Sequence, residues 1–236
     1  MIHVVNPDNR ELYAREFERL YELAGDDAAR RAALEGGPGV VHLLALDDDG
    51  ALEFACRLRS SSVGSTLAER APWLVAGGVE AVVSPEVWER TSIYAKPGLC
   101  APDLRMLERR GELRLAALEE VRDQGAERIV EIVPSASLVT TLRSGWRVRL
   151  LGLPGVLDGA PVVAVEVDAS PAAAADLRER LAGAAGGRLR LSAAAAPSVA
   201  PREIEAFLKA AQQIDPDNLQ PLLIALRAAV ADDADG

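Results

Sequence analysis

Two side chains on expected neighbouring strands carry the plainest chemistry this sequence offers: Arg57 in the run 51–58 and Glu89 in the run 87–94. A carboxylate can take a proton from an amine. A guanidinium can grip a carboxylate or phosphate through two parallel hydrogen bonds. The same pair also reads as a cross-strand ion pair that only holds two strands together. Other clusters resolve into ordinary structure. Asp47-Asp48-Asp49-Gly50 lacks the alternating spacing and distal glutamate of a calcium loop and reads as a hairpin turn. Gly36-Gly37-Pro38-Gly39 precedes a strand and has no lysine, so it is a connector and not a phosphate loop. Ser60-Ser61-Ser62 has no histidine placed to activate a hydroxyl. His3 and His42 are the only histidines, and Cys56 and Cys100 the only cysteines. Neither a histidine-based metal site, a structural zinc nor a disulfide framework is expected.

The elements that must position these groups are bounded by composition. The chain has 236 residues, of which 49% are hydrophobic, enough for one large domain or a domain with a small appendage. Its net charge of -10 and pI of about 4.8 argue against nucleic acid, which needs a clustered basic surface. The same field repels other acidic proteins unless a local basic patch overrides it. No basic-then-apolar leader is present, and no apolar run reaches the roughly 20 residues that span a bilayer. The expectation is a soluble cytoplasmic protein.

Ile2–Val5 reads as a strand ended by Asn6-Pro7-Asp8. Leu12, Tyr13, Phe17, Leu20 and Tyr21 recur at helical spacing, with a break near Gly25-Asp26-Asp27. Strands are expected at 40–46, 51–58, 87–94 and 128–133, and helices at 66–73, 103–124 and 135–143. The order is β-α-α-β-β-(α)-β-α-β-α-β-β, which predicts a mixed α/β sheet flanked by helices. A helix at 171–181 follows. The Ala-rich stretch 182–200 reads as a linker, 201–210 and 219–230 as two appended helices, and 231–236 as a disordered tail.

Residues 142–168, LRSGWRVRLLGLPGVLDGAPVVAVEVD, read as a helix end, a strand over 146–152, a Pro/Gly loop and a second strand over 162–168. Gly145 supplies the left-handed residue that closes the helix. This block resembles the C-terminal half of the bacterial acyl-homoserine-lactone synthases (autoinducer synthases). Two further blocks carry the resemblance: GPGVVHLLALDDDGALEFACRLRSS over 37–61, with Arg57 at the family's strand-end arginine, and PEVWERTSI over 85–93, with Glu89 at the family's glutamate. Together the blocks span roughly 1–181. The resemblance implies a GNAT-like acyltransferase fold with 87–94 central and 128–133 beside it, diverging at one end. It implies transfer of an acyl group from acyl carrier protein or acyl-CoA to the amine of S-adenosylmethionine, then lactonisation. No cofactor is implied beyond these substrates. Glu89 becomes the candidate general base; Arg57, Trp88, Thr91, Ser92, Ile93 and Trp146 become substrate-binding candidates.

The sequence also departs from the family. FERLYEL (17–23) continues into AGDDAARRAALEGGPG, without the family's Arg…Phe…Gly-Trp motif over S-adenosylmethionine. Arg31, Ala33 and Gly36 stand where the family carries an acidic cluster, and Thr91-Ser92 where it carries Ser-Arg. These losses keep two alternatives open: an acyltransferase with another amine acceptor, and a catalytically silent relative that binds a ligand or partner.

Overall fold

Alternating and continuous apolar runs build one eight-stranded sheet, described here from a computed structural model over residues 1–96, 104–142 and 145–185. The strands are β1 (Ile2–Val5), β2 (Val40–Leu46), β3 (Leu52–Ser60), β4 (Val87–Ala95), β5 (Arg128–Pro134), β6 (Val148–Leu150), β7 (Gly155–Leu157) and β8 (Ala160–Asp168). Their spatial order is β1-β2-β3-β4-β5-β8-β6, with β7 also paired to β8. Only β4 and β5 are parallel; every other pair is antiparallel. β4 lies in the interior of the sheet with β5 beside it, as the resemblance implied.

The parallel pair is short. Val87–Arg90 pair with Arg128–Glu131, and then pairing stops although both strands continue. The strands part at Arg90 and Glu131 and leave a fork between Thr91–Ala95 and Ile132–Pro134. β4 is irregular on its other edge too: Ala55 pairs with Tyr94 and Cys56 with Ser92, so Ile93 is an extra residue in a bulge.

Helices cover both faces. One face holds α1 (Ala14–Ala24), α2 (Ala28–Leu34) and α3 (Thr66–Arg70); Phe17, Leu20 and Leu34 pack there on Leu44 and Ala55, and Leu67 on Val87 and Val130. The other holds α4 (Leu104–Asp123) and α6 (Pro171–Ala185), joined by the short α5 (Leu138–Leu142); Leu113, Ala117, Leu118, Val121 and Leu177 pack there on Cys56, Leu58, Ile129 and Val165. Gly111 interrupts the helical pattern of α4 because α6 crosses there. A Cβ at Gly111 would lie 2.4 Å from Leu181 Cδ2.

The expected elements are present with shifted ends. The helix read over 66–73 is α3 followed by a 3-10 turn at Pro72–Leu74. The loop read at 153–161 contains β7, too short and glycine-rich for its alternation to show. The strand expected over 146–152 shrinks to β6, and Trp146 lies before it. α6 runs to Ala185, into the segment expected as a linker. The remainder of that segment, the two appended helices and the tail lie outside the described residues.

The loop between β6 and β7 is pinned to the 3-10 turn. Leu151 O accepts the Ala76 N–H at 2.9 Å, and a Cβ at Gly152 would stand 2.5 Å from Leu74 O. Both sides of that contact are backbone, so neither can yield by changing rotamer. Gly152→Ala is expected to destabilise the fold by about 1–3 kcal/mol. A denaturant midpoint equal to that of the parent would show that the loop moves freely.

Candidate functional site

β4 enters the sheet buried at Val87–Glu89 with a core on each face, so its alternation sorts side chains between two different cores. Val87, Glu89 and Thr91 point toward α1–α3, as do their neighbours Arg57 and Arg59 on β3, where Arg57 pairs with Thr91 and Arg59 with Glu89. Trp88, Arg90 and Ser92 point toward α4 and α6, because Trp88 packs in that core and Ser92 pairs with Cys56 of the same core.

Glu89 is 2% exposed. Its Oε2 accepts the Ser65 hydroxyl at 2.8 Å and the Leu67 N–H at 3.0 Å. Ser65 is also the N-cap of α3 and accepts the Ala68 N–H at 3.2 Å. The carboxylate therefore sits at the first turn of α3, where free N–H groups favour negative charge. Oε1 faces Arg59 Nη2 at 3.8 Å and accepts no hydrogen bond among the described residues. That oxygen is the one left for an incoming proton.

Arg57 lies on the same face as Glu89 but does not bond it. Its Nη1 donates to Ala32 O at 2.9 Å. His42 Nε2 lies 3.1 Å from Ala33 O, and Arg10 Nη2 donates to Leu34 O at 2.8 Å. Three side chains thus take the last carbonyls of α2, where a helix end carries partial negative charge. Arg10 also lies over the Phe17 ring, 3.7 Å from its centroid. Burial, with Arg59 next to it, pulls the Arg57 pKa below the usual guanidinium value, while Glu89 and Glu69 oppose that.

The positions that matched the family's acids are now placed. Arg31 is exposed on α2, over the Tyr21 ring at 5.4 Å, and lines an open groove of about 410 Å³ with Glu18, Tyr21 and Glu22. Ala33 is buried at 3% exposure, and a Cβ at Gly36 would lie 3.4 Å from Arg10 Nη1. At the positions of the family's acids, the surroundings of Arg57 therefore offer cations, a neutral imidazole and helix carbonyls, and Glu89 and Glu69 supply the negative charge near it.

Burial lowers the His42 pKa to about 4, Arg10 and Arg57 adding to the effect against the Ala33 hydrogen bond. From about pH 6.5 down to about 4 the unfolded chain binds a proton that the folded chain refuses, so stability rises with pH across that window and is lost on acidification. The expected loss is of order 3 kcal/mol. His42→Gln, which can still donate to Ala33 O, should flatten the slope between those pH values in chemical denaturation. Equal slopes would place the buried proton elsewhere.

On the opposite face, Arg90 Nη1 donates to Glu131 Oε1 at 2.5 Å, with the two side chains 12% and 8% exposed. This pair bridges β4 and β5 at their last paired residues. Burial opposes the charge on Arg90, and Glu131 overcomes it, so its pKa is raised. Arg90 and Arg114 of α4 both approach Trp146, each with its guanidinium carbon 5.5 Å from the ring centroid.

The seven candidate residues read from the sequence thus divide. Glu89, Arg57, Thr91 and Ile93 share the α1–α3 face, Ile93 in the bulge packed beside Tyr94 against the core of that side. Trp88, Ser92 and Trp146 do not join them. Trp88 and Trp146 are buried in the α4–α6 core, and Ser92 is exposed on that side of the fork. Strand periodicity separates Trp88 and Ser92 from Glu89, since odd and even positions oppose each other. Sequence reading also missed Arg59 and Ser65, the side chains that do contact Glu89. Arg59 was accessible, being two residues from Arg57 and so on the same face. Ser65 was not, because only folding brings the start of α3 to β4. Among the described residues no group of three His, Cys, Asp or Glu side chains could hold a metal ion, and no helix is long and apolar enough to cross a membrane.

With this geometry the molecule resembles solved acyl-homoserine lactone synthases. The structure of the CoA-dependent acyl-homoserine lactone synthase BjaI with MTA matches 77% of this chain and 89% of its own, with TM-score 0.59 and 24% identity. The CoA-dependent acyl-homoserine lactone synthase MesI matches 77% of this chain and 95% of its own, with TM-score 0.58 and 22% identity. FeeM, an N-acyl amino acid synthase from uncultured soil microbes, matches 72% and 90%, with TM-score 0.51 and 13% identity. No protein-family model and no curated protein sequence matches the chain. The fold is therefore that of the solved acyl-homoserine lactone synthases, reached at low sequence identity.

Proposed function

We propose that this protein is an N-acyltransferase of the acyl-homoserine-lactone-synthase type. It takes an acyl group from a thioester, carried on coenzyme A or acyl carrier protein, and places it on the α-amine of a small amino-acid-like acceptor. The observation that carries the reading is the fork between β4 and β5, with Glu89 and two arginines gathered on one side of β4 and a separate core on the other. The acceptor lies on the Glu89 face. Arg57 and Arg59 suit its carboxylate, and Glu89 Oε1 takes the proton from its amine so that nitrogen can attack the thioester carbonyl; the amide C–N bond forms as the C–S bond breaks, and the carrier leaves as its free thiol, taking up a proton. The acyl tail passes through the fork toward α4.

The resemblance points to S-adenosylmethionine as acceptor, with lactonisation and release of methylthioadenosine. Arg31, Ala33 and Gly36 favour a different amine, because the sulfonium loses its anionic partners while the carboxylate keeps Arg57 and Arg59. A desolvated charge pair is worth on the order of 2–5 kcal/mol. S-adenosylmethionine is thus expected to bind at least ~30-fold more weakly than at a site with the acids in place, or about 2 kcal/mol. Isothermal titration calorimetry measures this directly, and a low-micromolar dissociation constant would restore S-adenosylmethionine as the acceptor. Mass spectrometry of reactions containing an acyl-CoA series, S-adenosylmethionine and free amino acids then identifies the product. The absence of any N-acylated product with both CoA and carrier-protein donors would favour the silent, ligand-binding relative.

A further inference from the structure

Among the described side chains, the face of α4 that meets the fork carries cations where an alkyl pocket would be apolar. Positions 110, 114, 117 and 121 recur at helical spacing and form one stripe. Ala117 and Val121 of that stripe are fully buried in the core against the sheet. The same stripe continues toward the fork as Arg114 and Arg110, where an apolar residue would complete the pattern.

Three guanidiniums meet there, and among the described residues only Glu131 answers them. Glu131 is engaged by Arg90 at 2.5 Å. Arg110 stands over the Phe54 ring at 5.8 Å, and Arg114 over Trp146 at 5.5 Å. Neither Arg110 nor Arg114 has a carboxylate partner among the described residues. Burial first, and the nearby Arg90 second, pull the Arg114 pKa down to about 10, so it remains charged near neutral pH. Glu131 offsets part of this, but it is already held by Arg90, so Arg114 keeps much of its desolvation cost. A ligand carboxylate entering the fork would meet two guanidinium forks and could engage Arg114 bidentately. A methyl-ended chain would bury the same charge further and offer it nothing.

We infer that the acyl group taken by this site ends in a carboxylate, so that the donor is the monothioester of a dicarboxylic acid, held at its far end by Arg114 with Arg110 and Arg90 beside it. This rests on the acyltransferase reading above and names its donor class.

The test uses the whole chain and two pantetheine thioesters of matched carbon number, adipoyl and hexanoyl. They share the part common to coenzyme A and carrier-protein donors. By calorimetry near neutral pH, the adipoyl thioester is expected to bind at least ~10-fold more tightly than the hexanoyl one, about 1.4 kcal/mol. Arg114→Met keeps the length and helix preference of the side chain and should abolish that preference, weakening adipoyl binding without weakening hexanoyl binding. Circular dichroism checks that the variant folds; if it does not, the parent's preference alone decides. Equal or tighter hexanoyl binding overturns the inference and leaves the acyltransferase reading standing. Binding of neither thioester overturns both. A preference that survives in a folded Arg114→Met removes Arg114 from the assignment.

Discussion

Glu131→Ala is expected to destabilise the protein by about 3–5 kcal/mol, because it leaves Arg90 charged and buried with its ion-pair partner gone. Arg90 and Glu131 are 12% and 8% exposed and 2.5 Å apart, and they join the last paired residues of the parallel strands. Arg90 has no second carboxylate to turn to among the described residues. Its Nε is already buried without a hydrogen bond, and Arg114 adds like charge nearby. The paired replacement Arg90→Met with Glu131→Leu should recover most of the loss, since apolar groups of similar size carry no desolvation cost. Urea unfolding of the two variants measures both effects. A loss below about 1 kcal/mol for Glu131→Ala, the range of exposed pairs, would mean that water reaches the fork and screens it.

Glu89→Gln should lower acyl transfer by about 10²- to 10⁴-fold, the range in which a positioned proton acceptor contributes. Glutamine can present its amide oxygen to the Ser65 hydroxyl and the Leu67 N–H, the two donors that Oε2 now serves. The cap of α3 and the fold should therefore persist. What disappears is the basic oxygen facing Arg59, the one with no hydrogen bond of its own. The drop should fall on kcat, while the donor thioester binds as before. If the rate is unchanged, Glu89 serves only as partner of Arg59 and cap of α3, which is the cross-strand ion-pair reading with the partner moved two residues along β3, from Arg57 to Arg59.

That shift of register shows where sequence reading stopped. Glu89 and the β3 arginines were visible because strand runs and the family's blocks placed them on neighbouring strands. Which β3 residue opposes Glu89 depends on the bulge at Ile93: without the extra residue, the register of Ala55 and Tyr94 would put Ser60 there instead of Arg59. The α4 stripe shows the same limit differently. Its period was clear from Leu113, Leu118 and Val121, but helical spacing does not say which neighbour a given face will meet. Only packing against the sheet shows that Arg110 and Arg114 stand over Phe54 and Trp146 beside the fork.

The sequence by itself determined most of the strands and helices, their order and the mixed sheet. These follow from local periodicity, turn residues and chain connectivity, which act over a few residues at a time. Tertiary structure decided the rest. It divided Glu89, Arg57, Thr91 and Ile93 from Trp88, Ser92 and Trp146, brought Ser65 to Glu89, and set Arg57, His42 and Arg10 against the end of α2. Those contacts join residues 24 or more apart in most cases, as between Ser65 and Glu89 or Arg57 and Ala32. Their partners are chosen by which buried polar groups must find one another once the sheet has closed, and that requirement exists only in the folded chain.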